Sequence, residues 1–175
     1  MTEKIIIEQY NPCWQYEFNI IKEMINLYIG DLILSVEHVG STSINGLAAK
    51  PIIDIDVIID NYDVFPEIKE RLRQKEYIYE GNLGIEDREA FKRNSDKEYF
   101  NSYKLMKYHL YVCPKYSKEL IRHIAFRNYL KENEWARKEY QALKIKLANE
   151  FTYDRVAYGE HKTEFINKIL NKIII

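Results

Sequence analysis

Pro51 to Ile59, PIIDIDVII, is the stretch that most constrains what this chain can fold into. Its residues alternate as a buried β-strand does, so Ile53, Ile55, Val57 and Ile59 fall on one face. Asp54 and Asp56 fall together on the other, with Cβ atoms about 7 Å apart and Ile52 and Ile58 beside them. Two carboxylates among isoleucines are costly to bury unless positive charge sits between them. A divalent cation meets that need. A hard ion such as Mg²⁺ takes oxygen ligands and keeps positions for phosphate oxygens.

The segment upstream supplies a complementary part. Leu34 to Val39 reads as another strand, and it breaks at Gly40-Ser41-Thr42-Ser43, with a further Gly46. Small residues let backbone N–H groups approach an anion, hydroxyls add donors, and a helix or turn starting there adds its free N–H groups. Alone, such a run is an ordinary turn, and an Asp-x-Asp strand is an ordinary solvated face. Together they form a phosphate cradle, Gly40, Ser41 and Thr42, just ahead of a carboxylate pair. That order predicts metal-assisted phosphoryl or nucleotidyl transfer.

The chain as a whole permits this. Its 175 residues suit a single domain spanning 1–175. Fifteen tyrosines against four prolines belong to an ordered chain, since disordered segments lack aromatics. No N-terminal run resembles a signal peptide and no apolar stretch reaches the length of a membrane span, so the expectation is a cytoplasmic protein without a membrane partner. Cys13 and Cys113 are far apart, each beside a proline and outside any CxxC, and read as free thiols. The net charge of −1 gives no general electrostatic case for binding nucleic acid. Its distribution is uneven. Residues 1–114, the sheet half, carry 13 Lys+Arg against 19 Asp+Glu, whereas residues 115–175, the helical half, carry 13 against 8. An acidic half suited to a cation thus faces a basic half suited to phosphates, although solvated helix faces would give the same counts.

Taken in order, Lys4 to Gln9 reads as an N-terminal arm or edge strand. Asn11 and Pro12 open a helix with Trp14, Phe18, Ile21, Ile25 and Tyr28 on its apolar stripe, closed by Gly30. A short helix carries Phe65, Ile68 and Leu72, Gly81 and Gly84 bracket a turn, and Arg88 to Arg93 returns as a strand. Arg88 could hold phosphate at that sheet edge or simply protect the edge. Leu105 to Val112 is the next strand, with His109 and Tyr111 on one face. Helices follow from Ser117, from Asn133 and from about Glu160. On them Arg127, Lys144 and Lys162 stand beside apolar stripes, where cations can reach phosphate or merely snorkel to water. Lys50, just ahead of the acidic strand, is a further candidate.

The run HVGSTSINGLAAKPIIDIDV resembles the signature of the GrpB-like proteins of the nucleotidyltransferase superfamily. The resemblance extends through NPCW, HLYV, HIAFRNYL, YQALKIKLA and YGEHKTEFI, nearly the whole chain. It implies an α/β (α+β) fold, with a nucleotidyltransferase-like mixed β-sheet flanked by helices and a helical C-terminal part closing over the site. By the same analogy Asp54 and Asp56 bind Mg²⁺ or Mn²⁺, and Gly40 with Ser41 holds the outer phosphates of an NTP. The reaction would move a nucleoside monophosphate to an unknown small-molecule acceptor.

One position departs from the superfamily pattern. A third carboxylate usually comes from a neighbouring strand, and here that strand carries His109. An imidazole can ligate a metal or act as a base, but it brings no negative charge. His109 is therefore a third candidate ligand or base, and a catalytically weak nucleotide- or phosphometabolite-binding module is the alternative. An RNA-directed enzyme is a third reading, resting on the basic helical half.

Overall fold

The structure is a computed structural model and describes residues 3–93 and 99–173. The first helix, α1 (Cys13–Ile29), begins where the Asn11 carboxamide accepts the Cys13 N–H at 3.0 Å. Trp14, Phe18, Ile21, Met24, Ile25 and Ile29 form its buried face. Gly30 does not stop it in the left-handed manner expected. Its φ is −58°, and the chain tightens into a 3₁₀ turn over Gly30–Leu32.

Strand β1 (Ser35–Val39) leads through Gly40 into a 3₁₀ turn, Ser41–Ser43, and the chain returns as β2 (Ile53–Ile59). After α2 (Phe65–Gln74) come β3 (Tyr77–Gly81), β4 (Glu89–Arg93) and a two-residue pair, β5 (Tyr99–Phe100) with β6 (Tyr103–Lys104). Strand β7 (Tyr108–Pro114) then enters the sheet, and α3 (Lys118–Glu132), α4 (Glu134–Glu150) and α5 (Arg155–Ile173) complete the chain.

The five-stranded sheet has the order β1-β2-β7-β4-β3. Only β2 and β7 are parallel; the other neighbours are antiparallel, so the sheet is mixed, as the resemblance implied. The expected arm at Lys4–Gln9 makes a single antiparallel bridge, Glu8 to Ala49, rather than a strand. Strand β3 lay outside the expectations, and α5 starts five residues before Glu160.

One sheet face is dry. Ile53, Ile55, Val57 and Ile59 are fully buried against α1 and α2, in one core with Ile21, Ile25, Ile68 and Leu72. Burying a side chain of this kind stabilises the fold by about 1.5–3 kcal/mol, which makes this face the anchor of the domain. The opposite face carries the acids, and α3, α4 and α5 form the structure above it. A smaller core of Ile44, Leu47, Leu130, Ala136 and Tyr140 holds that helical layer to the loop between β1 and β2. Ser117 caps α3 by accepting the Leu120 N–H. Asn133 precedes α4 but turns back, donating to the Tyr129 carbonyl at the end of α3.

Candidate active site

The sheet register fixes the acids. Asp54 lies between Val39 of β1 and His109 of β7, and Asp56 lies between Glu37 and Tyr111. Asp56 is fully buried, whereas about a third of the Asp54 side chain is exposed (34%). Above Asp54 sits Gly40, whose φ of +69° is left-handed. A Cβ at residue 40 would lie 2.2 Å from Asp54 Oδ2. Glycine is therefore required twice, by the backbone conformation and by the approaching carboxylate.

The turn after Gly40 is held from within. The Ser43 hydroxyl donates to the Gly40 carbonyl at 2.6 Å, and the Thr42 hydroxyl donates to Ile52 O at 3.3 Å. Thr42 Oγ1 also meets His38 Nε2 at 3.0 Å. With the hydroxyl proton already donated, that contact assigns the proton of His38 to Nε2. The ring stacks on Phe18, and burial lowers its pKa to about 4, so His38 is a neutral strut.

Both carboxylates face histidines. His109 Nδ1 lies 2.9 Å from Asp54 Oδ1, and His123 Nδ1 lies 2.7 Å from Asp56 Oδ2. The other nitrogen of His123 lies 3.2 Å from Glu119 Oε1. Burial disfavours charge on His123, but the hydrogen bonds to Asp56 and Glu119 outweigh it and raise its pKa to about 10. It is an imidazolium clamped between two acids. Burial would raise the pKa of Asp54, yet the His109 hydrogen bond and nearby positive charge pull it below the ordinary value. Asp56 Oδ1 is buried with no hydrogen-bond partner. Such an oxygen calls for a proton, a water or a cation, and the hard oxygens of Asp54 and Asp56 fit a hard ion. Among the described residues, no group of three or more His, Cys, Asp or Glu side chains is arranged to hold a metal.

Two cavities open over this face. The larger, about 700 Å³, is lined by Ser41, Thr42, Lys50, Asp54, His109, Lys144 and Lys162, among others. The smaller, about 250 Å³, is lined by Gly40, Ser41, Asp54, Arg88, His123, Arg127 and Lys162, among others. They meet at Ser41, Asp54 and Lys162, which line both.

Among the lysines lining the larger cavity, Lys50 from the loop before β2, Lys144 of α4 and Lys162 of α5 make no ion pair among the described residues. Lys144 is buried, its ammonium donating to the Ala48 carbonyl and lying 4.8 Å from the Tyr140 ring centroid. Burial, aided by repulsion from Lys162, lowers its pKa to about 7. Lys50 and Lys162 approach the Tyr158 ring, at 4.3 and 5.5 Å. Burial, then repulsion from Lys162 and Arg155, lowers Lys50 to about 8. Lys162 is also lowered by burial, against the pull of Asp54. Lysines that repel one another in a half-desolvated pocket favour an anion among them.

The sequence-predicted residues therefore divide. Gly40, Ser41, Thr42, Lys50, Asp54, His109, Lys144 and Lys162 converge around one junction, with Asp56 sealed just beneath His123. Arg127 borders the smaller cavity but is committed to Glu37 Oε2 at 2.8 Å and the His38 carbonyl at 2.9 Å, tying α3 to β1. Arg88 borders the smaller cavity only, its guanidinium carbon 4.5 Å from the Tyr111 ring centroid. His123, Glu119 and His38 were not foreseen as site residues. The Glu119–His123–Arg127 spacing on one helix face was the signal that could have found the first two.

Comparison with known proteins gives this arrangement a lineage. Residues 4–172 match the family described as GrpB protein. The "Glutamate-rich protein GrpB" of Alkalihalophilus pseudofirmus is 32% identical over 172 residues, covering 97% of this chain and 96% of that protein. The crystal structure of "conserved protein GrpB" from Enterococcus faecalis superposes with a TM-score of 0.75 at 29% identity, over 94% of this chain and 99% of that one. A structure of the Cid1 poly(U) polymerase bound to MgATP aligns with a TM-score of 0.55 over 81% of this chain and 43% of that one. At 11% identity, that likeness speaks for the nucleotidyltransferase fold alone. The chain belongs to the GrpB family.

Proposed function

We propose that this chain is a metal-dependent nucleotidyltransferase that moves a nucleoside monophosphate from an NTP to a small acceptor. The observation that carries the reading is the junction itself. A buried Asp56 and a part-exposed Asp54 lie under a glycine–serine turn, with Asp54 Oδ2 2.2 Å from where a Cβ on residue 40 would sit, beside a cavity lined by Lys50, Lys144 and Lys162 among others. In this reading Gly40, Ser41 and Thr42 cradle the β- and γ-phosphates, and Lys50, Lys144 and Lys162 neutralise them. Asp54 and Asp56 would hold Mg²⁺ or Mn²⁺, which when bound supplies charge neutralisation on the phosphates and acidifies the acceptor hydroxyl.

The remaining chemistry belongs to the chain. The acceptor oxygen bonds to the α-phosphorus, the bridging α–β P–O bond breaks, and pyrophosphate leaves with the electron pair. His109, oriented through Nδ1 by Asp54, takes the hydroxyl proton on Nε2 and returns it to solvent. Catalysis of this kind is mostly positioning and electrostatics. The fold shared with a polymerase whose structure is described as bound to MgATP is consistent with an NTP here.

A second reading, a binding module without turnover, is favoured by one observation. Position 109 holds a histidine bonded to Asp54 rather than a third acid. The two readings part under one assay. Each NTP is incubated with the protein, Mg²⁺ or Mn²⁺ and an acceptor mixture, and pyrophosphate is measured. The transferase reading expects metal-dependent release that disappears in Asp54→Asn/Asp56→Asn. The binding reading expects thermal stabilisation by nucleotide with no product. Pyrophosphate release that survives the double substitution would overturn the assignment of these acids.

A further inference from the structure

We propose that the smaller cavity is the acceptor's chamber, and that Arg88 selects an acceptor bearing a carboxylate or phosphate group as well as the reacting hydroxyl. The proposal rests on the nucleotidyl-transfer reading and adds the acceptor's chemical class. Volume divides the two chambers first. About 250 Å³ falls below the roughly 300–1,000 Å³ that drug-sized ligands fill, whereas about 700 Å³ lies within it. The larger chamber therefore has room for a nucleotide, and the smaller has room for a compound of a few carbons. They join at Ser41, Asp54 and Lys162, where an acceptor hydroxyl would have to meet the α-phosphorus.

Charge then narrows the class. Three arginines border the smaller chamber, and two are already spent. Arg127 is bound to Glu37 and His38 O, and Arg122 to Glu119 and Asn167. Arg88 differs. Among the described residues it makes no ion pair, and its Nε is buried without a hydrogen-bond partner. Its guanidinium carbon lies 4.5 Å from the Tyr111 ring centroid, a cation–π contact that holds the charged head beside the chamber. An unpaired guanidinium suits a planar carboxylate or a phosphate, both of which it binds through two parallel N–H groups.

Apolar side chains, Phe126, Ile166 and Leu170, form another part of the wall. Arg88 does not line the larger chamber, which separates it from the three lysines assigned to the NTP. In the transfer step the anion stays on Arg88 while the neighbouring hydroxyl forms the new O–P bond, pyrophosphate departs, and the proton goes to His109.

The test is calorimetric titration of the full chain with glycerol 3-phosphate, glycerate and glycerol. Each is titrated with and without a saturating non-hydrolysable NTP analogue and Mg²⁺. The expected result is binding of at least one anionic probe, no binding of glycerol, and no displacement by the analogue. The arm that binds identifies the anion. Arg88→Gln should weaken that probe about tenfold or more, Arg88→Lys should weaken it less, and Lys146→Met, at an exposed position of α4 that borders neither chamber, should leave it unchanged. An unaltered thermal melt for both Arg88 variants keeps the comparison to binding alone. Failure of both anionic probes, competition by the analogue, or undiminished affinity in Arg88→Gln would overturn the proposal. If the analogue itself does not bind while probe binding still depends on Arg88, the anion site stands and the nucleotide reading falls.

Discussion

The two faces of β2 are built from alternate residues of one seven-residue strand, and they do opposite things. Toward α1 and α2, Ile53, Ile55, Val57 and Ile59 are fully buried in an apolar core. Toward α3 and α5, Asp56 is equally buried, keeps one carboxylate oxygen unpartnered and holds a histidine imidazolium. A face optimised for stability would not contain that group, nor would the α4 helix packed nearby carry a buried lysine, Lys144, whose pKa is driven down to about 7. The contrast implies that the first face holds the fold together while the second is held ready for a ligand of complementary charge.

Substitutions on the two faces should separate these roles, and the largest effect belongs to the acids. Asp54→Asn/Asp56→Asn should abolish nucleotidyl transfer, by about a thousandfold or more, while the chain stays folded with a lowered melting temperature, because the buried His123 imidazolium loses its Asp56 partner. Ile55→Ala is the mirror experiment. It should cost about 2–5 kcal/mol in urea unfolding while the folded fraction keeps its ligand affinity. If the acids proved as important to stability as Ile55, the division of labour would be wrong.

Gly40→Ala comes next, because it touches both sides of the comparison. Its Cβ would collide with Asp54, and its φ would be strained. A stability loss of about 1–3 kcal/mol should accompany a drop in transfer rate of about a hundredfold, measured on the folded enzyme. Lys144→Met then sharpens the ligand side. Replacing the buried ammonium by a thioether of similar length should raise the melting temperature and weaken nucleotide binding about tenfold by calorimetry.

The smallest effect is on pH. His123 has a folded pKa of about 10 against the ordinary 6.5, so its protonated form stabilises the fold. That contribution is complete below about pH 6.5 and drains away as the pH rises toward 10. Urea midpoints measured across that window should fall for the wild-type chain. The fall should be shallower in His123→Asn.

How much of this was legible in the sequence follows from how local each feature is. The face assignment of β2 was readable because period-2 alternation is a property of adjacent residues, and the Gly40–Ser41 turn because glycine and serine mark it directly. The sheet's outer strand β3 was not, since Ile78 is an apolar side chain at an exposed position between Tyr77 and Tyr79, so the residue types do not alternate although their burial does. Helix α5 begins early, at Arg155, because Asp154 caps it by accepting the Val156 and Ala157 N–H groups, a signal that went unread. In the site, Asp54 and Gly40 are close in sequence and could be paired on paper. The bonds from His123 to Asp56 and from Arg127 to Glu37 span 67 and 90 residues. They are consequences of docking α3 over the sheet, which no local pattern encodes.

The most direct test of the central claim is Mn²⁺ binding, followed by electron paramagnetic resonance in the presence of a non-hydrolysable NTP analogue. The account predicts that the wild-type chain takes up the ion together with the analogue, and that Asp54→Asn/Asp56→Asn, folded by circular dichroism, does not. Equal uptake by both proteins would contradict it, leaving the acid pair as a structural partner of His109 and His123 and nothing more.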